Sequence, residues 1–306
     1  MTMRARNGRR SMTRTRLAIA IAIALGSAAA VLLSALLGGA AGAVRVIHAR
    51  AALARQTDVS SNWAGYVATG PGSTSTTASS SMAYTDVTGQ WVQPRAVCTP
   101  GSPTSVAIWV GLGGYSETSQ ELEQTGTSAD CSQSGQASYY IWYELVPADS
   151  VNVTSLKINP GDVIASVVQV NGTKVLVQVI DRTRRTRFTK RLTMAAPDLT
   201  SAEWIAEAPS QCSVSGFCRQ IALTNFGSIN FTQSFATGNG SGATMSSPNW
   251  MLTPLQLVPQ AHRFFGANDA SSSHGLGDAG ANPLAISSDG KGFSVAWQAN
   301  PAAPSG

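Results

Sequence analysis

Charge is scarce in this chain of 306 residues. Only 12% of it is Asp, Glu, Lys or Arg, about half the usual share for a soluble domain. That deficit argues against a coiled coil or a highly charged disordered tail. Histidine is scarcer still, with three in the chain, and none lies in an H-E-x-x-H zinc signature. There is no G-x-S-x-G nucleophile elbow and no Asp-Thr-Gly or Asp-Ser-Gly of the paired-aspartate kind. The four cysteines, Cys98, Cys131, Cys212 and Cys218, contain no C-x-x-C pair, which argues against a zinc ribbon or a dithiol redox centre. Carboxylates and amides remain for acid–base work.

The formal net charge of +5 suggests nucleic acid, but its distribution does not. Nine basic residues, Arg4 to Arg55, precede Gln56, and the first acidic residue is Asp58. From Gln56 onward 12 basic residues face 16 acidic ones, a balance of −4. Such a body has no basic stripe for phosphates. The local cluster Arg182-Thr-Arg184-Arg185-Thr-Arg187 reads as a solvated turn and strand.

The first 16 residues are Arg-rich, and Leu17 to Val44 carry no charge. Ala41-Gly42-Ala43 closes that run with the small-x-small pattern of signal cleavage, so residues 1–43 read as an export signal. The run is also long enough to span a bilayer, which makes an uncleaved anchor the competing reading. Residues 44–56 read as a short basic pro-segment, and 57–306 as the working domain. A secreted or surface-anchored protein experiences oxidising conditions, so the cysteines are expected in disulfides. Three pairings are possible, of which Cys98–Cys131 with Cys212–Cys218 is favoured.

Past Ser60 the chain is made of short β-branched or aromatic runs broken by Gly, Ser, Asn and Pro. Expected strands are Trp63–Ala68, Tyr84–Val92, Ser105–Gly111, Ser138–Leu145, Val163–Val170, Lys174–Asp181, Phe188–Met194, Ala202–Glu207, Gln220–Phe226, Ile229–Phe235 and Phe293–Trp297. An Asn171-Gly172 hairpin signal lies between two of them. Residues 71–81 and 257–285 read as loops. The pattern predicts one all-β domain, an antiparallel sandwich or jelly roll.

Seven segments concentrate Trp, Gly and polar residues beyond what packing requires. They are Ser61-Asn62-Trp63-Ala64-Gly65-Tyr66, Gly89-Gln90-Trp91-Val92-Gln93-Pro94, Trp109-Val110-Gly111-Leu112-Gly113-Gly114, Leu122-Glu123-Gln124-Thr125-Gly126, Trp142-Tyr143-Glu144, Ala202-Glu203-Trp204-Ile205-Ala206-Glu207 and Asn225-Phe226-Gly227-Ser228-Ile229. In this order and spacing the chain resembles the glutamic peptidase (eqolisin) family. The resemblance implies a concanavalin A-like β-sandwich of two antiparallel sheets and an acid-acting endopeptidase with a Gln/Glu dyad. By matching motifs the dyad is Gln124 and Glu203. Asn62, Trp63, Trp109, Trp142 and Glu144 match positions that bind substrate.

The chemistry suits these residue types. Attack of water on a peptide carbonyl needs a base for the water proton and donors for the developing oxyanion. A carboxylate supplies the first, and an amide supplies an N–H together with an acceptor for the water. A neutral partner also avoids the repulsion of two close carboxylates, so Glu203 is expected to stay ionised to low pH where hydrogen bonds favour that form. Read without the motif set, Gln124 is a turn residue, Glu203 the solvent face of a strand, and Asn62 a turn cap. Strand alternation puts Glu207 on the face of Glu203, and Glu123 opposite Gln124. Gly113 and Ser128 stand where fungal members carry Asp, which bears on pH optimum and substrate preference. A monomer acting on polypeptides is expected, without metal or organic cofactor and without nucleic acid, touching a membrane only through an uncleaved leader. The rival from another class is a non-catalytic carbohydrate- or peptide-binding module on the same sandwich.

Overall fold

In the computed structural model the described residues are 45–48, 59–73, 82–213, 218–259 and 279–299. In chain order their strands are β1 (Arg45–Ile47), β2 (Val59–Ser60), β3 (Trp63–Thr69), β4 (Tyr84–Val92), β5 (Thr104–Gly113), β6 (Leu122–Cys131), β7 (Ala137–Val146), β8 (Val151–Val153), β9 (Val163–Asn171) and β10 (Lys174–Asp181). There follow β11 (Thr186–Thr193), β12 (Ser201–Glu207), β13 (Ser210–Cys212), β14 (Cys218–Gln220), β15 (Ser228–Gly238), β16 (Ser241–Thr244), β17 (Met251–Leu257), β18 (Gly280–Pro283) and β19 (Phe293–Gln298). No helix occurs among the described residues. Residues 1–43 expected as a leader, most of the expected pro-segment 44–56, the Gly/Ser/Thr stretch 74–81, and His262 and His274 lie outside them.

The hairpin β9–β10 shows why the chain takes this form. Val168, Val170, Val175, Val177 and Val179 are buried, while Gln169, Asn171 and Lys174 are exposed, the period-two pattern of a strand with one face in a core. Asn171 still pairs with Lys174, so the turn is Gly172-Thr173, one residue beyond the expected pair, with Gly172 at φ 59°. The Arg-rich turn and β11 that follow are largely exposed, as expected. Arg184 lies 3.3 Å from Asp162 and 3.7 Å from Asp181.

One hydrogen-bonded path runs β11-β10-β9-β4-β15-β19-β18-β17-β3-β12-β5-β6-β7-β8. It folds over so that β5, β6 and β12 pack on β4, β9 and β10, giving the two-layer antiparallel sandwich. Between the layers lie Tyr84, Trp91, Val110, Ile164, Val177 and Trp204. The Trp204 indole N–H donates to the Thr88 carbonyl across the core at 2.8 Å. A second apolar cluster, Trp63, Val67, Trp109, Leu122, Trp142 and Ile205, covers the opposite face of the β3-β12-β5-β6-β7 layer. Strands β3 and β12 are therefore buried at every position, as strands covered on both faces are.

Both favoured disulfides are present, Cys98–Cys131 and Cys212–Cys218. Three expectations change. Leu122–Cys131, which shows little β-branched signal, is a strand of ten residues. The expected strand Gln220–Phe226 contributes only Gln220 to β14, and its remainder is held through isolated bridges of Leu223 and Asn225 to Ser105 and Val97. The stretch read as a loop over 257–285 contains β18.

Candidate active site

Cross-strand register builds the site. Residues directly opposed in an antiparallel ladder share a face, and successive ladders give three rows across β12, β5, β6 and β7. The first row is Glu203, Gly111, Gln124 and Glu144. The second is Ile205, Trp109, Gly126 and Trp142, and the third Glu207, Ala107, Ser128 and Tyr140. On β3, Val67 and Trp63 extend the first and third rows beside Glu203 and Glu207. The fold thus gathers Gln124, Glu203, Trp63, Trp109, Trp142 and Glu144 on one face.

Gly111 separates Glu203 from Gln124. Two strand spacings put their Cα atoms about 10 Å apart, and the residue between them has no side chain to fill the gap. A Cβ there would come within 2.9 Å of the Trp109 ring and 3.1 Å of the Glu123 carbonyl. Glycine at 111 therefore makes room for the Trp109 ring and the Leu122 side chain, which pack over it.

The Gln124 amide is held on its nitrogen side. Its Nε2 donates to Glu144 Oε2 at 3.1 Å and to the His48 carbonyl at 3.1 Å, while its buried Oε1 has no partner among the described residues. His48 arrives from the end of β1. Its ring stacks on Trp142 at 3.7 Å with an interplanar angle of 10°, its N–H donates to Glu144 Oε2 at 3.3 Å, and its Nδ1 is 3.6 Å from Glu207 Oε2. The Trp109 indole N–H donates to the same Glu207 oxygen at 2.9 Å, and Trp63 meets Trp109 edge to face at 4.9 Å.

Burial dominates the electrostatics. Glu203 is fully buried and its carboxyl is pushed well above the ordinary carboxylate range, first by loss of water, then by Asp198 and Glu123 nearby. The Ser201 hydroxyl on the same strand face draws it part of the way back, though neither carboxylate oxygen reaches hydrogen-bond geometry with it. This corrects the expectation that Glu203 stays ionised to low pH, because the hydrogen bonds required for that are missing. Burial likewise pushes Glu144 up to about 8 and Glu123 up to about 9. It lowers His48 to about 4, against the pull of Glu144 and Asp130.

Asn62 stands apart from the rows. It precedes Trp63 by one residue, and its side-chain oxygen accepts from the Ser60 hydroxyl at 2.9 Å, in a turn entering β3. Glu123 points away from Gln124, as strand alternation requires, onto the other face of β6. Two residues near the site had no sequence signal. One is His48, inside a basic stretch. The other is Asp198, in the connection before β12. Gly113 has φ 83°, and a Cβ on it would lie 2.5 Å from the Asp198 Cβ. Asp198 accepts from the Thr200 hydroxyl at 2.7 Å, from the Gly114 N–H at 3.2 Å and from Ser119. An acidic group absent at position 113 is thus brought to the same place from another part of the chain.

The two-layer antiparallel sandwich and the family match together define the class as glutamic peptidase. Residues 61–257 match the peptidase A4 family, and the chain belongs to that family of glutamic endopeptidases. It is 30% identical over 209 residues to aspergillopepsin-2 of Aspergillus niger, covering 60% of this chain and 67% of that one. Its fold is similar to scytalido-glutamic peptidase with a peptide-based transition-state analogue, at TM-score 0.58 and 19% identity, over 78% of this chain and 98% of the other. It is also similar to SCP-B, an eqolisin in complex with the tripeptide Ala-Ile-His, at TM-score 0.56 and 19% identity, with the same coverage.

Proposed function

We propose that the protein is a secreted endopeptidase in which Glu203 and Gln124 carry out hydrolysis. The observation that carries this reading is the Gln124 amide, whose nitrogen already donates to a peptide carbonyl while its oxygen is unpartnered. In the reaction Gln124 Oε1 accepts a hydrogen bond from the attacking water and ionised Glu203 takes the water's other proton. The carbonyl carbon becomes tetrahedral, and its oxygen gains charge against the Gln124 N–H donor. Glu203 then gives the proton to the amine nitrogen as the C–N bond breaks.

Glu203 acts as base only when ionised. Loss of water is the first cause of its raised pKa, so water entering an open cleft draws it down toward the ordinary range, and the acid limb of kcat/KM reports it. Polypeptides are the substrates. The tripeptide in the SCP-B complex ends in Ile-His, as does Val46-Ile47-His48 here. Export rests on residues 1–43 acting as a cleaved signal and 44–56 as a pro-segment, and the two disulfides fit an oxidising destination.

Cleavage of a denatured protein across pH 2–7, with pepstatin present, tests the reading. Glu203→Gln is expected to lose about 10²–10⁴ in kcat, the span of general-base catalysis. Gln124→Ala is expected to lose about 10²–10³, as for one oxyanion donor. A folded Glu203→Gln protein that keeps wild-type activity sinks the assignment.

A further inference from the structure

We propose that β11, the free edge of the layer formed with β4, β9 and β10, is a docking strand for an extended acidic segment of a polypeptide. The docking stands on the strand alone, and its use as an exosite for substrate rests on the reading of the chain as an endopeptidase.

Positive charge is gathered at this edge. Residues 174–193 hold seven of the 12 basic residues that follow Gln56 and one of the 16 acidic ones, so the rest of the body has five basic residues against 15 acidic. Of the seven, Arg184 is held by Asp162, Asp181 and the Lys157 carbonyl. Lys174, Arg182, Arg185, Arg187, Lys190 and Arg191 form no ion pair among the described residues. Strand β11 pairs with β10 and ends the hydrogen-bonded path. Alternate backbone N–H and C=O groups of such a strand face away from its neighbour and are open to another chain. Phe188 and Leu192 pack inward on the core, and the Phe188 ring stacks on Tyr143 at 5.8 Å. The edge is thus fixed before a ligand arrives, which lowers the cost of binding.

Register decides what the edge accepts. Arg187 opposes Ile180 and Arg191 opposes Leu176 on the solvent face, four residues and therefore about 13 Å apart. Lys190 opposes buried Val177 on the other face. Beside Arg191 a groove of about 650 Å³ is lined by Lys174, Gln169, Thr193 and one acid, Asp86. The Gln169 amide donates to that carboxyl. Like charges directly opposite one another destabilise a strand pair, so a second copy of β11 is repelled. An extended peptide is admitted when its acids stand four residues apart, one opposite each arginine. Main-chain hydrogen bonds then supply affinity and charge supplies selection. A row of phosphates offers acceptors but no donors to the edge carbonyls, so a polypeptide is the partner that fits this strand.

The test uses the full chain at pH 7 and low salt with the peptide Thr-Glu-Thr-Val-Thr-Glu-Thr-amide, carrying a fluorophore at its N-terminus. Binding is read by fluorescence anisotropy, and strand docking by hydrogen exchange of residues 186–193. The peptide is expected to slow exchange over that stretch by about threefold or more as edge N–H groups become bonded. Replacing both glutamates of the peptide with glutamine, or introducing Arg187→Gln with Arg191→Gln, is expected to weaken binding by about fivefold, the effect of losing two cross-strand ion pairs. The isomer Thr-Glu-Thr-Glu-Thr-Val-Thr-amide keeps the charge but sets one acid opposite Thr189, and is expected to bind about twofold more weakly. Equal affinity for the two spacings, or binding without slowed exchange, means diffuse attraction to a solvated face and overturns the proposal. Phosphatidylglycerol vesicles that slow exchange where the peptide does not would overturn it in favour of a membrane surface. Docking in a chain that hydrolyses no protein counts against the catalytic reading alone. Active enzyme without docking counts against this inference alone.

Discussion

At the scale of single residues, the chemistry depends on what surrounds each carboxyl. Asp198 is one of two nearby acids that raise Glu203, so its removal shifts the charge balance without touching the reacting atoms. Asp198→Asn is expected to move the acid limb of kcat/KM to lower pH with little change in the plateau, read from a pH–rate profile. An unmoved limb would show that burial alone sets Glu203. Gln124 and Glu203 stood out as candidates because each sits in an ordered motif, Leu122-Glu123-Gln124-Thr125-Gly126 and Ala202-Glu203-Trp204-Ile205, and the register brings them to one face. His48 and Asp198 were not. A lone histidine in a basic stretch has no pattern, and an aspartate replacing a group 85 positions earlier in the chain is visible only once Gly113 and Asp198 are seen in contact.

At the scale of elements, strands rich in Val, Ile and Trp announced themselves, and Tyr84–Val92 and Lys174–Asp181 have the expected limits. The strand that carries Gln124 did not. Of its residues, Gln124, Gly126 and Ser128 share the face of the site, where a Cβ on Gly126 would lie 2.6 Å from the Trp109 Cβ. Thr127 on the other face accepts from the Trp91 indole, so small and polar residues stand where apolar β-branched ones would signal a strand. The same strand ends at Cys131, tied to Cys98 across 33 residues. Loop-closure entropy for that span is worth about 3–4 kcal/mol. Replacing both cysteines with serine is expected to lower unfolding stability by about that amount in denaturant titrations. A loss below about 1 kcal/mol would mean that the ladder with β5 and β7 holds the strand unaided.

At the scale of the whole molecule, the buried carboxyls set the pH range in which the fold is most stable. Glu123 and Glu144 are raised to about 9 and about 8, so between the ordinary carboxylate value and those pH values the folded chain binds more protons than the unfolded one. Stability must then fall as pH rises. Tm is expected to decline from about pH 5 to pH 8, and Glu123→Gln is expected to flatten the decline. A Tm that rises over this interval would contradict the burial of these groups in neutral form. Fold class was legible from short strands and turn residues. The path that folds one sheet over another was not, since register is set by partners far apart in sequence, as Glu203 with Gly111 and Gly111 with Gln124.

The proposed joint action of Glu203 and Gln124 across Gly111 is tested most directly by a double-mutant cycle on kcat. Groups that act as a unit are strongly non-additive when removed. Glu203→Gln with Gln124→Ala is therefore expected to lose little more than the worse single variant. A double variant whose loss is the product of the two single losses would show that the residues act independently, and would contradict the paired mechanism.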